Sequence, residues 1–456
     1  MKEGRAVRRF VGMDTNSLTP APAWSRRRFT ASGLLAAAGP FLLPRLARGQ
    51  DAPSNQLVFG CIGTGRMGRG DMKELLLRGL EHGARVRAVC DLDSKRAAAA
   101  AEAVNAFYKE KLQLDNWNCK VFHDYKELIA MPDLDGVQIA TPDHWHAAPA
   151  IAAAQAGKHI YLEKPLTYSV AEGQALVKAV RAKKVILQTG SMQRSSARFR
   201  LACELVRNGR LGKIHTIKAT LPGDSGIGKA DPMPVPPNLD YKTWLGPTPV
   251  APYTEDRVHP QNSIDGRPGW LQIETYCRGM ITGWGAHMLD IAQWGHGSDD
   301  SGPVEMEATG EFPARGLFNV HTKLKAEGKY ADGVRFLVET GAAGCEFQGD
   351  KGTIFVSREL MRADPKELAK EKIGPEEIHL YESKSHMGNL LECIRSGKDP
   401  ICPVEVGHRS NTACVIVHIA MKLGRKVRWD PKAERFLDDD AANAMLDYPH
   451  RDWTKE

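Results

Sequence analysis

The chain has 456 residues, 42% of them apolar, with 62 Lys and Arg against 55 Asp and Glu. That length supports two domains with ample core. Nine of the basic and two of the acidic residues fall in the first 49, leaving 53 of each sign beyond. The excess positive charge therefore argues for neither nucleic acid nor an anionic membrane as a partner. Nine cysteines in so long a chain do not make a disulfide framework, and Cys61 and Cys90 suit buried strands as packing residues.

Residues 1–49 read as a cleavable leader. Ser25-Arg26-Arg27-Arg28-Phe29 precedes an apolar run to Leu43, broken by Pro40 and closed by Arg45. The run is about 15 residues, short of the roughly 20 that span a bilayer. Paired arginines before it point to twin-arginine export of the folded protein and a periplasmic location. Ala47-Arg48-Gly49 offers a cleavage site, so no membrane anchor is expected afterwards. A mitochondrial presequence is the rival reading, since the leader is Arg-rich and poor in acids.

From Leu57 the chain alternates short apolar runs with helical periodicity. Strands are expected over Leu57–Ile62, Arg85–Cys90, Gly136–Ala140, His159–Leu162 and Val185–Gln188, with helices between. That alternation predicts a doubly wound parallel sheet, a Rossmann domain over residues 55–193. An α+β domain over 194–456 is expected to follow. It opens with a helix over Ala197–Asn208 and a strand over Ile214–Leu221. Pro232, Pro234, Pro236, Pro237, Pro247, Pro249 and Pro252 forbid regular structure in the next segment, which reads as a lid, a binding loop, an arm to a partner or a surface excursion. Antiparallel strands at Val334–Glu339 and Thr353–Val356 come next, then helices near Ser383–Ser396 and Val406–Leu423.

The first strand runs into Gly63-Thr64-Gly65-Arg66-Met67-Gly68, a dinucleotide loop in its proper place between strand and helix. Its glycines permit the turn, the approach of backbone amides to a pyrophosphate, and close helix–strand packing. Asp91 ends the second strand, where a carboxylate binds ribose hydroxyls and repels a 2′-phosphate. This favours NAD, while Arg66 and Arg96 leave NADP open. Thr141-Pro142-Asp143-His144-Trp145-His146 and Glu163-Lys164-Pro165 follow later strands, at the sheet edge where open α/β sheets bind ligands. The pair His144 and His146 raises a metal site, but their proline and helix context favours the cofactor, and no metal is expected.

Together these motifs resemble the Gfo/Idh/MocA family, which includes glucose–fructose oxidoreductase and inositol dehydrogenase. The resemblance implies a Rossmann domain followed by an α+β domain with a large, mostly antiparallel open sheet, through which subunits join as a homo-oligomer. It places Lys164 beside the nicotinamide and the reacting hydroxyl, where an ammonium can hydrogen-bond the substrate oxygen and stabilise developing alkoxide charge, and where a desolvated lysine can also lose its proton near neutral pH. Thr141, Pro142, His146, Glu163 and Gln193 match cofactor-lining positions, and Trp145 either covers the nicotinamide or is core. His287 matches the family's second catalytic position, a histidine in Asp-x-x-x-His. Gly283 stands where that Asp is usual, a departure that removes one carboxylate. Asp290, one turn on from His287, either orients it or is structural. Arg267, Trp270 and Tyr276 resemble a substrate-facing loop suited to a carbohydrate.

The implied activity is NAD(P)-dependent oxidoreduction of a sugar, cyclitol or glycoside hydroxyl, with a tightly held, internally recycled cofactor. Two alternatives stay open: glycoside cleavage by transient oxidation and elimination, and non-catalytic binding of a sugar or partner.

Overall fold

The structure, a computed structural model, describes residues 55–448 and 450–452; the expected leader lies outside the described residues. The first half alternates as β1 (Leu57–Ile62), α1 (Arg66–His82), β2 (Ala84–Cys90), α2 (Ser94–Leu112), β3 (Lys120–Phe122), α3 (Tyr125–Ile129), β4 (Gly136–Ile139), α4 (Ala147–Gln155), β5 (His159–Leu162), α5 (Val170–Lys183) and β6 (Leu187–Thr189). Its six strands pair in parallel in the order β3-β2-β1-β4-β5-β6. The order reverses between β1 and β4, and the crevice outside their carboxyl ends is where such sheets bind ligands. Helix starts are chemically marked. Asp93 caps α2 by accepting from the amides of Lys95 and Arg96, and Ser169 with Glu172 forms a reciprocal capping box on α5. The last strand begins two residues later than the sequence suggests. The Val185 amide still bonds Val180 O of the preceding helix, and pairing with β5 starts only at Leu187.

Then come α6 (Ala197–Arg207), β7 (Ile214–Leu221), a short α7 (Tyr241–Leu245), α8 (Met280–Gly283) and α9 (Gly285–His296). They are followed by β8 (Glu305–Glu311), β9 (Lys323–Lys329), β10 (Arg335–Thr340), β11 (Gly344–Gly349), β12 (Gly352–Val356), β13 (Met361–Asp364), α10 (His386–Ser396), α11 (Val404–Leu423), β14 (Val427–Asp430) and β15 (Arg435–Phe436). The nine strands order as β13-β12-β11-β7-β10-β9-β8-β14-β15, antiparallel except for the β7–β10 pair. Buried residues of α6, α9 and α11 share one core with the inward side chains of this sheet. The opposite face is solvated. In β9, Lys323, Lys325, Glu327 and Lys329 are exposed while Leu324, Ala326 and Gly328 are buried. Charge on every second residue conceals β8 and β9 from an apolar-run reading.

Two segments cross between the halves. Met387, Leu390, Leu391 and Cys393 of α10 complete the core under Met72, Leu75 and Leu76 of α1. The proline-rich stretch is not a loose excursion. Leu239, Tyr241, Trp244, Leu245, Tyr253 and Val258 form their own apolar cluster with Ile273 and Tyr276. It is laced to the nucleotide domain by Ser94 N to Asn238 O at 2.8 Å and Asp240 N to Leu92 O at 3.0 Å. The carboxyl-terminal tail lies along it, with Arg451 Nε donating to Thr248 O at 3.0 Å. Among the described residues no helix is long and apolar enough to cross a membrane.

Candidate active site

The glycine loop is shaped as a phosphate cradle. Gly63 has φ +80°, and a Cβ there would sit 2.6 Å from Ala140 O. A Cβ on Gly68 would lie 1.9 Å from Gly63 O, so α1 packs against the turn only as glycine. Gly65 is open, with only the Arg96 guanidinium within 3.5 Å of a Cβ. These features fit a dinucleotide pyrophosphate at the start of α1. Arg66 and Met67 are exposed and line the cavity beside it. Thr64 does not face the cavity. It is buried and fastens the loop to Asp91, its amide donating to Asp91 Oδ2 at 2.7 Å and its hydroxyl at 3.0 Å. Asp91 lines the cavity with its carboxylate so held. Arg96 is not free for a 2′-phosphate: it donates to Ile264 O at 2.9 Å and clamps the proline-rich cover.

After β4, Thr141 and Pro142 line the cavity, and the His146 ring lies between Pro165 O at 2.6 Å and Thr141 O at 2.9 Å. Burial brings His146 down to about 4, and as a neutral ring it donates to only one of these two carbonyls. The ring of His144 meets Trp244 O at 3.0 Å instead. Trp145 is both cavity wall and core: it lines the cavity, is 5% exposed, and its indole N–H donates to Trp244 O at 2.9 Å.

The Lys164–Pro165 peptide is cis. Lys164 Nζ lies 3.3 Å from Glu163 Oε2. Burial works against its charge, but Glu163, Asp143 and Asp71 outweigh it and hold the ammonium above the ordinary lysine range. Of the two expected roles, these surroundings favour the charged ammonium over an amine that deprotonates near neutral pH. Desolvation is present, but carboxylates from three elements surround it. Asp143, buried beside the Cys277 thiol that donates to it, is raised to about 7 by burial.

His287 is on α9 and lines the same cavity. Burial, then the charges of Lys164 and Arg358, hold its imidazole well below the usual range, so it is neutral. Its Nδ1 is buried without a hydrogen-bond partner. Asp290 does not orient it. That carboxylate is fully buried, bound by Arg194 Nε at 3.0 and 2.9 Å and by Ser410 Oγ at 2.7 Å, and it lies outside the cavity lining. The helical periodicity was sound, but α9 is buried along its length and the face bearing Asp290 meets Arg194.

The cavity measures about 660 Å³, within the range of small-molecule and cofactor sites. It runs from the glycine loop to Lys164, His287 and Gly283. Arg267 and Trp270 line it; Tyr276 does not. Tyr276 is fully buried, packed against His144 and Trp244 in the cover's core. Gln193 is likewise buried outside the lining, and its neighbour Met192 takes that wall. Sequence reading missed Asp143, Asp224 and Arg358, which also line the cavity. Asp143 sat inside a motif already in view, whereas no motif flags Asp224 or Arg358.

Two family models cover most of the chain. One, described as the NAD-binding Rossmann fold of the oxidoreductase family, matches residues 57–191. The other, the C-terminal alpha/beta domain of the same family, matches residues 222–455. The chain belongs to the Gfo/Idh/MocA oxidoreductase family. An uncharacterized oxidoreductase, YrbE of Bacillus subtilis, is 31% identical over 193 residues, 42% of this chain and 49% of that one. Myo-inositol 2-dehydrogenase of Thermotoga maritima is 34% identical over 133 residues, 29% of this chain and 36% of that one. The chain thus spans half or less of the length of these curated relatives. A levoglucosan dehydrogenase solved with NADH and levoglucosan shares the fold, with a TM-score of 0.58, 20% identity, and coverage of 82% of this chain and 99% of the other.

The resemblance read from the sequence implies an aspartate at position 283, where this chain has glycine. A Cβ there would meet only Met280 Sδ, at 3.9 Å. The position has room for a side chain that the glycine does not supply.

Proposed function

We propose that the protein transfers hydride between NAD and a hydroxyl-bearing carbon of a sugar, cyclitol or glycoside. One observation carries this reading: a charged Lys164 and a neutral His287 line one cavity with the glycine loop. NAD, when bound, accepts or returns the hydride. Lys164 hydrogen-bonds the substrate oxygen through its ammonium and stabilises the alkoxide charge that develops there. His287, neutral and short of a partner, takes the hydroxyl proton in oxidation and returns it in reduction. The aromatic walls at Trp145, Trp270 and Trp284 exclude water and suit the apolar faces of a sugar ring.

We further propose that the cofactor stays bound between turnovers and that the protein works outside the cytoplasm. The Arg26-Arg27 leader supports export. The cover, fastened through Arg96 and Asp93, supports retention. Self-association through the β7–β13 sheet is also proposed. That sheet's outer face pairs Lys218 with Glu339 and Arg335 with Glu327, so its contacts would be polar and weakened by salt. The decisive experiment denatures protein recovered from the exported fraction and identifies the released nucleotide, then assays NADH formation with myo-inositol, D-glucose and levoglucosan. A stoichiometric nucleotide and turnover with at least one of them is the expected outcome. Bound nucleotide without any redox turnover would leave a binding protein instead.

A further inference from the structure

Asp224 follows β7 and lines the active cavity, yet no motif marks it. Its side chain is 2% exposed. Oδ1 accepts from Arg267 at 2.5 Å, while Oδ2 is buried with no hydrogen-bond partner. Burial raises its pKa, against the guanidinium of Arg267 and the nearby amide of Met280. A buried carboxylate oxygen without a donor is costly, and native proteins leave few of them. Here the bare oxygen belongs to a group that lines a cavity, so a bound molecule can supply the missing donor.

Gly283 makes the location informative. Met280, whose amide approaches Asp224, starts the short α8 that ends at Gly283, and all three residues line the cavity. The Gly283 position presents no side chain and leaves open space. The side chain missing at Gly283 is thus matched, on an adjoining wall, by a carboxylate with one oxygen still without a donor.

We infer that Asp224 is a substrate-binding residue that accepts a hydrogen bond from a hydroxyl of an uncharged polyol or sugar, in place of the carboxylate absent at Gly283. Arg267 is its positioning residue, holding Oδ1 so that Oδ2 faces the ligand. A carboxylate at this point selects a hydroxyl and rejects an anionic group. This inference rests on the polyol reading above.

The test uses the full protein, loaded with NADH for the binding measurements and supplied with NAD where KM is read. Binding of myo-inositol, levoglucosan and D-glucose is followed by thermal shift, and NADH affinity by fluorescence, for wild type, Asp224→Asn and Arg267→Met. Asp224→Asn is expected to weaken polyol binding, or raise KM, roughly 10- to 100-fold, as loss of a hydrogen bond to a charged group does. NADH affinity should change less than about twofold, a tenfold change being the size of a real contact. In Arg267→Met the buried carboxyl loses its counter-charge, so KM should rise more steeply as pH falls than in wild type, an effect a merely structural role would not produce. Polyol affinity unaltered in Asp224→Asn overturns the inference and leaves the polyol reading standing. Lost NADH affinity with unchanged polyol binding assigns the oxygen to the cofactor and also overturns it. If wild type binds none of the three polyols, both readings fall.

Discussion

Lys164 Nζ lies 3.3 Å from Glu163 Oε2, and this pair sets the charge of the site. Because the folded pKa of Lys164 is raised, the ammonium survives through the whole neutral range and is lost only as pH climbs past ordinary lysine values. Lys164→Met should lower kcat/KM by about 10²–10⁴ while NADH still binds, the range expected of a group that handles a proton or its charge. Glu163→Gln should bring the alkaline limb of the pH–rate profile to lower pH, since the largest charge holding the proton is gone. An unmoved limb would mean that Lys164 is not the group seen there.

Asp143 gives a second handle on pH. Its folded pKa, about 7, is above the unfolded value of about 3.9. Its protonated form therefore contributes stability that is complete below about pH 4 and is lost as pH rises through about 7. Relative to Asp143→Asn, wild type should lose thermal stability across that window and run parallel to the variant outside it. Melting temperatures at half-unit pH steps check this.

Asp290 should behave as a structural residue. Asp290→Ala leaves Arg194, itself buried, without one of its two carboxylates. Breaking such a pair costs about 3–5 kcal/mol. Urea denaturation should report a loss of that order, with the pH dependence of the surviving activity unchanged. A shifted acid limb at full stability would instead restore Asp290 as the orienting partner of His287.

The cover over the nucleotide site should loosen through Asp93. This buried carboxylate meets His259 Nε2 at 2.9 Å, and despite burial that bond and one from Asn238 bring it down to about 2. Its contribution is present above the unfolded pKa of about 3.9 and is lost as pH falls through about 2. His259→Ala should speed NADH release about tenfold at neutral pH, the worth of one charge-assisted hydrogen bond of ~1.5 kcal/mol. Stopped-flow release of bound NADH measures it; an unchanged rate would show that the cover does not retain the cofactor.

The parts of this protein legible in the sequence are those built from neighbours along the chain. The βα alternation, the Gly63–Gly68 turn, the Asp91 strand end and the Glu163-Lys164-Pro165 motif each depend on periodicity or on a turn, and each stands where local pattern puts it. The charged strands β8 and β9 escaped because only one of their faces is apolar, and that face alternates with lysine and glutamate.

Tertiary structure decided everything that depends on a partner distant in sequence. Glu163, the neighbour of Lys164 in sequence, is the largest support for its charge, but Asp143 and Asp71 add theirs only because the fold brings them from separate elements. Asp290 turned from His287 to Arg194, 96 residues away, because the buried face of α9 meets that guanidinium. Tyr276 became core because His144 and Trp244 pack against it, and Asp224 became cavity wall beside Arg267. Sequence spacing determines which side chains share a face of one element. Which face meets water, a ligand or a counter-charge is determined only when the elements pack.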